Sequence, residues 1–212
     1  MNCCCDNPAA QFFDKESKNF IKKYRKKGIE KVSRMLVEGI EELGIKDATI
    51  LEVGGGVGGA HRALLRKGAS KAYATELSEE MINAAKIFSE EEGLSDKIEF
   101  IHGDIVEMNG EIPDVDITMH DKVVCCYENA DGLLEKTLAK TKNIYGFVMP
   151  RDYLIPRIGF AFFTFLSKLL KWNFHPFIHP EQPILARVEN AGFRLKYEKQ
   201  TIIWKVRVYQ KT

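Results

Sequence analysis

The chain is predicted to fold as an α/β protein. It should have a seven-stranded, mostly parallel sheet with helices on both faces, an N-terminal helical extension and a C-terminal antiparallel hairpin. Three observations carry this prediction. A strand-like run, Ile50-Leu-Glu-Val, enters a glycine cluster, Gly54-Gly-Gly-Val-Gly-Gly59, which leads into a helix-like segment. Strand-like and helix-like segments then alternate, as a parallel sheet with covering helices requires. At the far end, residues 192–198 and 201–209 alternate apolar and polar positions around a short polar turn, which reads as a hairpin.

Taken in order, the first 45 residues are helical in pattern. Phe12, Phe13, Phe20, Ile21, Tyr24, Ile29, Val32, Leu36, Ile40 and Leu43 recur at spacings near three and four, so this extension presents an apolar stripe to the sheet or roofs the ligand. Strands are expected at 49–53, 71–75, 97–101, 115–119, 144–149, 193–199 and 201–209, with helices near 57–67, 78–92, 130–140 and 181–191. Ser78 caps the second of these helices and places Glu79 and Glu80 in its first turn, where the helix dipole favours acids.

The glycine cluster predicts a nucleotide-type ligand, because glycines turn the backbone sharply and let bare peptide groups approach it. Read as Gly54-x-Gly56-x-x-Gly59, the cluster fits a dinucleotide fingerprint, for NAD or FAD. Read as Glu52-x-Gly54-x-Gly56-x-Gly58, with Gly55 between, it resembles the S-adenosylmethionine (SAM) loop of class I methyltransferases. Both readings want an acid at the end of the second strand to meet the ribose hydroxyls, and Glu76 stands there. The third strand ends in Gly103-Asp104-Ile105, which resembles the methyltransferase pattern and favours SAM.

Composition bounds the rest. With 212 residues and no break in composition, residues 1–212 read as a single domain. A formal net charge of +1, from 31 basic and 30 acidic residues, gives no global field for nucleic acid, and no nucleic-acid partner is expected. The Lys22-Lys-Tyr-Arg-Lys-Lys27 run is read as a solvated helix face, with the binding of an acidic substrate or a membrane surface as the alternative. The opening residues lack a basic region followed by an apolar one, which predicts a cytoplasmic protein. Five cysteines in two clusters, Cys3 to Cys5 and Cys125-Cys126, do not form a disulfide framework and lack structural zinc spacing, so no metal is expected. His175 and His179 flank Pro176, which argues against a helical metal pair.

Chemistry in such sheets gathers at the carboxyl ends of the strands. Two segments lie there. Met119-His-Asp-Lys-Val-Val-Cys-Cys-Tyr127 follows the fourth strand and offers His120, Asp121, Cys126 and Tyr127. Residues 150–180 follow the fifth and form an apolar insertion whose core, Phe160 to Trp172, is too short to span a membrane. It is read as a lid, a core helix or an interfacial helix, and residues 158–172 as a candidate peripheral membrane contact.

A closer resemblance rests on four features: the helix bearing Phe20-x-x-x-Tyr24, the Glu-Val-Gly-Gly-Gly loop, the residues leading to Tyr127, and the apolar insertion. Together they resemble the magnesium-protoporphyrin O-methyltransferase group, and with it the Rossmann-like class I methyltransferase fold. The resemblance implies transfer of a methyl group from SAM to a small or medium-sized, lipophilic acceptor, of which a porphyrin-type carboxyl is the family example. It implies Tyr24 and Tyr127 beside the acceptor, with His120 a further candidate there. It places Glu76 on ribose, Leu77 and Met81 against adenine, Asp104 on the adenine amino group with Ile105 beside it, and His120 or Asp121 near the methionine portion. The family's histidine position is Cys126 here, a departure that opens a soft acceptor such as arsenite or a thiol as an alternative. Two further readings are a SAM-binding, metalloid-sensing protein without catalysis and a dinucleotide-dependent oxidoreductase.

Overall fold

The computed structural model describes residues 7–108, 112–169 and 174–212. Cys3 to Cys5 and the 170–172 end of the apolar run lie outside them. The helices are α1 (Pro8–Lys27), α2 (Lys31–Glu41), α3 (Gly59–Arg66), α4 (Glu79–Glu91), α5 (Ala130–Ala139), α6 (Leu154–Leu169) and α7 (Glu181–Asn190). The strands are β1 (Thr49–Val53), β2 (Lys71–Glu76), β3 (Ile98–His102), β4 (Val115–Asp121), β5 (Thr141–Pro150), β6 (Phe193–Gln200) and β7 (Trp204–Lys211).

These strands form one seven-stranded sheet in the order β3-β2-β1-β4-β5-β7-β6. Strands β1 to β5 are mutually parallel, and β7 runs antiparallel to both β5 and β6. The strand order reverses between β1 and β4, the position at which such sheets open a crevice for ligands.

Side-chain alternation along the strands builds a core on each face. Ile50, Ile117, Met119, Ile144, Val148, Val206 and Val208 join Leu36, Ile40 and Leu64 from α2 and α3 on one face. Leu51, Val53, Tyr145, Phe147, Met149 and Tyr209 join Leu133, Leu134 and Val188 from α5 and α7 on the other. Burying each large apolar side chain in these layers contributes roughly 1.5–3 kcal/mol. Tyr145 on β5 sits between the rings of Phe147 and Phe193, and Phe147 stacks on Tyr209, so the inserted β7 is held by ring contacts as well as by its ladder.

The extension forms two helices. Asn7 starts α1 by accepting the Ala9 N–H, with Pro8 in the first turn, and Gly28 ends it at φ +65°. Helix α1 is fastened to α4 by Asp14, which accepts the Ser78 hydroxyl at 2.6 Å, and by the Arg25–Glu91 ion pair.

The structure moves some expected limits. Strand β7 starts at Trp204 instead of 201, because Thr201 and Trp204 bond to each other and close a turn over 201–204. Strand β5 begins three residues early, at Thr141, whose hydroxyl bonds Thr118 across the sheet and the Thr137 carbonyl. Strand β4 runs two residues past its expected end, to Asp121. The apolar insertion contains a helix of sixteen residues, α6. Among the described residues no helix is long and apolar enough to cross a membrane.

Candidate active site

A cavity of about 760 Å³ opens above the carboxyl ends of β1, β2 and β4, within the upper part of the range for small-molecule sites. Its polar half comes from the strand ends. Gly54, Gly55 and Gly56 form its floor, with Glu52 and Asp121 at the crossover and Glu76, Leu77, Met81 and Asp104 beyond. Its other half is aromatic: Phe13, Phe20 and Tyr24 from α1, Phe160 from α6, Phe174 and Phe177, and Trp204 of β7.

The glycine loop is held by carboxylates. Glu52, fully buried, accepts the backbone N–H of His61 and lies 2.5 Å from its Nδ1, tying β1 to the first turn of α3. Glu76 accepts N–H groups from Gly56, Leu77 and Ser78 at 2.8 to 3.0 Å. Burial raises its pKa above the ordinary carboxylate value against the pull of those three donors. A carboxylate has about four acceptor positions, so Glu76 keeps one for a further donor. Gly58 caps α3 at φ +78°; an added Cβ there would meet Arg62 Nη1 at 2.5 Å. The buried Arg62 guanidinium donates to the Val57 carbonyl and lies over the rings of Tyr24 and Phe88, so loop, roof helix and α4 meet on one side chain. Tyr24 thereby seats over Gly59, at the edge of the loop.

The segment after β4 departs most from expectation. Asp121 lines the cavity, its Oδ1 buried without a hydrogen-bond partner, and burial raises its pKa. His120, adjacent on the strand, points to the opposite face. It is fully buried, its Nε2 lies 2.8 Å from the Tyr145 hydroxyl, and it is not part of the cavity wall. Burial lowers its pKa to about 3, so it stays neutral. The placement of His120 beside acceptor or methionine is therefore corrected: this ring packs between β4 and β5. Gly58 and Ile105 likewise stand behind the wall, Gly58 as a cap and Ile105 in the core.

Tyr127 lines the cavity, but its hydroxyl is committed to Asp104 Oδ1 at 2.9 Å, which also accepts the Val106 N–H. Burial and the neighbouring Asp104 charge push the phenol well above its usual range. The ring expected beside the acceptor thus stands on the Asp104 side. Cys125 and Cys126 both line the cavity, and both thiols point at the Lys122 carbonyl, at 3.3 and 3.4 Å. Its hydrogen bond with Cys125, and then burial, push the Cys126 thiol up, which keeps it protonated.

Sequence reasoning passed over Lys122. It follows Asp121 at φ +64°, a backbone conformation rarely taken by residues with a side chain, and lines the cavity. Its ammonium bonds Glu30 at 2.8 Å and lies 3.8 Å from Asp121. Burial opposes its charge, but Asp121 and Glu30 outweigh burial and raise its pKa. In turn, the Lys122 and Lys23 hydrogen bonds overcome burial and hold Glu30 down at about 2. The end of the insertion, 174–177, forms part of the cavity wall: Phe177 N–H donates to the Cys125 carbonyl, and beyond it His179 Nε2 lies 2.8 Å from the Tyr127 carbonyl. Among the described residues no cluster fit to hold a metal ion occurs.

Residues 50–143 match the family model described as a methyltransferase domain, and the chain has the Rossmann-like methyltransferase fold. Among solved structures it is similar to magnesium protoporphyrin IX methyltransferase from Synechocystis PCC 6803 with bound S-adenosylhomocysteine (SAH). The TM-score is 0.70 and the identity 15%, over 96% of this chain and 98% of that one. Geranyl diphosphate C-methyltransferase from Streptomyces coelicolor A3(2), in complex with magnesium, geranyl diphosphate and SAH, gives a TM-score of 0.62 at 11% identity, over 85% and 77%. At such identities the likeness is one of fold. A sterol 24-C-methyltransferase of Gibberella zeae is 37% identical over 67 residues, 31% of this chain. The match spans 18% of that protein's length.

Proposed function

We propose that this methyltransferase moves the methyl group of SAM to a small or medium-sized lipophilic acceptor with a flat ring system. The observation that carries this reading is the lining of the cavity, which combines the glycine loop and the carboxylates of the strand ends with aromatic side chains from α1, α6, β7 and 174–177. Faces of aromatic rings suit a flat apolar ligand. The protoporphyrin named in one neighbour's description is a flat, largely apolar ring of that kind, whereas the geranyl diphosphate named in another is an acyclic apolar chain with a charged head.

The fit of SAM rests on this chain's own groups. Glu76 keeps acceptor capacity for a ribose hydroxyl, Asp104 has its second oxygen for an amino group, and the buried Oδ1 of Asp121, which has no hydrogen bond and faces the Lys122 ammonium at 3.8 Å, suits the ammonium of a methionine moiety. Leu77 and Met81 supply the apolar contact for adenine. SAM brings a methyl group on a positively charged sulfur, already activated toward a nucleophile. The protein's task is then to orient an acceptor in line and exclude water. An acceptor that is itself a carboxylate is already nucleophilic and needs no proton acceptor.

One observation favours a second reading. Two adjacent thiols line the cavity, which would suit a soft acceptor such as arsenite. The raised pKa of Cys126 weighs against it, because soft acceptors bind thiolates.

The test is calorimetry of the protein with SAM and SAH, beside Glu76→Ala and Asp104→Ala, followed by an acceptor screen of porphyrins, lipophilic acids and arsenite read by SAH release. Binding that falls sharply in both variants supports the cofactor assignment. Binding without turnover on any acceptor favours a SAM-binding protein that senses and does not catalyse.

A further inference from the structure

Helix α6 has two faces of opposite status. Inward, Phe163 meets Phe12 of α1, Phe160 meets Trp204, and the Ser167 hydroxyl donates to the Phe174 carbonyl. Outward, Ile158, Phe162, Phe165 and Leu169 recur at intervals of four, three and four, which aligns them on one stripe, each 58% to 68% exposed. The turn before β7 extends the stripe. Ile202 is 70% exposed, with Ile203 beside it, and the turn is joined to the approach of α6 by Arg151 N–H to the Ile203 carbonyl and by Tyr153 to the Ile202 carbonyl. Isolated exposed apolar residues are ordinary; an aligned set of this extent marks a contact surface.

We propose that this face docks on an anionic lipid bilayer. The flanking charge selects the occupant. Helix α1, packed against α6 through Phe12, carries seven basic residues against two acidic ones. Its Lys15, Lys18, Lys22 and Lys26 are exposed and form no ion pair among the described residues. An apolar stripe beside a lysine-rich helix complements anionic headgroups over acyl chains. A second copy docked through the same face brings two lysine-rich helices together, which like charge disfavours. The contact is with one leaflet, since none of the described helices is long and apolar enough to cross. Phe160 and Trp204 belong to both the cavity wall and the elements bearing the stripe, so docking sets the aromatic half of the cavity beside the membrane. The surface stands whether or not the acceptor assignment does.

The test is co-sedimentation of the full chain with vesicles of phosphatidylcholine alone or mixed with phosphatidylserine, at low and high salt. The chain is expected to partition onto the anionic vesicles, more weakly as salt rises. A Phe162→Asp/Phe165→Asp variant should lose at least about tenfold in partitioning while keeping its thermal midpoint, because both side chains are exposed. Lys22→Glu/Lys26→Glu should weaken binding severalfold on anionic vesicles only. Absence of partitioning by the native chain overturns the proposal, as does undiminished partitioning of the double aspartate variant. A dimer in sedimentation velocity that the aspartate variant abolishes assigns the face to a second copy and overturns it too. SAH titration in parallel reads the cofactor assignment separately from the surface.

Discussion

Tyr127 donates its hydroxyl to Asp104 at 2.9 Å, joining the turn after β4 to the turn after β3 in the cavity wall. The carboxylate proposed for the adenine amino group is thereby aimed by a ring 23 residues further along the chain. Removing the hydroxyl leaves the carboxylate one donor short.

Tyr127→Phe is therefore expected to weaken SAH binding by about 1 kcal/mol or more, roughly fivefold in Kd. Turnover at saturating SAM should change little. Calorimetry and initial rates measure both quantities, and a loss of kcat with Kd intact returns Tyr127 to the acceptor side.

His120 gives the fold a definite response to acid. Its folded-state pKa is depressed to about 3 from an ordinary 6.5, so the unfolded chain takes up this proton first. The stability it contributes is fully present above about pH 6.5 and declines as pH falls toward about 3. His120→Gln retains a partner for the Tyr145 hydroxyl and removes the titration. Its denaturation midpoint should vary less than the native protein's between those two values; parallel slopes would refute this.

Gly54 sits at φ +63°, where an added Cβ would come within 2.6 Å of Val123 Cγ2. Gly54→Ala is expected to cost roughly 2–5 kcal/mol from backbone strain and overpacking combined. The double variant with Val123→Ala should recover the packing part and leave the strain. Chemical denaturation of the three proteins separates the terms, and a fully additive pair would show that the two residues do not collide.

Cys126 should be a poor nucleophile despite its place in the cavity. Its raised pKa predicts alkylation by iodoacetamide at about pH 8 at least ~10-fold slower than that of free cysteine. Mass spectrometry of the labelled peptide over time measures it. Rapid labelling would reveal a thiolate and favour the soft-acceptor reading.

The parts of this structure that were legible in the sequence are those in which one residue type is forced by backbone geometry or by periodic burial. Glycines at positive φ, such as Gly54, Gly56 and Gly58, announced the loop, and alternation along β1, β5 and β7 announced a sheet covered on both sides. His120 was misread because β4 continues two residues beyond its apolar run. In a strand that continues, neighbours face opposite ways, so Asp121 enters the cavity and His120 leaves it. Lys122 carried no signal, since a non-glycine residue at positive φ is chosen by its surroundings. The partners of Tyr127 and Glu30 lie 23 and 92 residues away and are fixed only when the sheet assembles.

Strand β7 lies between β5 and β6, although it is the last of the three to be made. On the ribosome, β5 therefore keeps an unpaired edge while α6, α7 and β6 are synthesised, and β6 has no neighbour in the sheet until residues 204–211 emerge and slide between them. Phe147, Val148 and Met149 stand on that waiting edge, which makes the interval one of exposure to aggregation and a natural point for chaperone capture. Chains stopped short of β7 would carry the whole glycine loop yet leave β6 with no strand to join beside the five parallel ones.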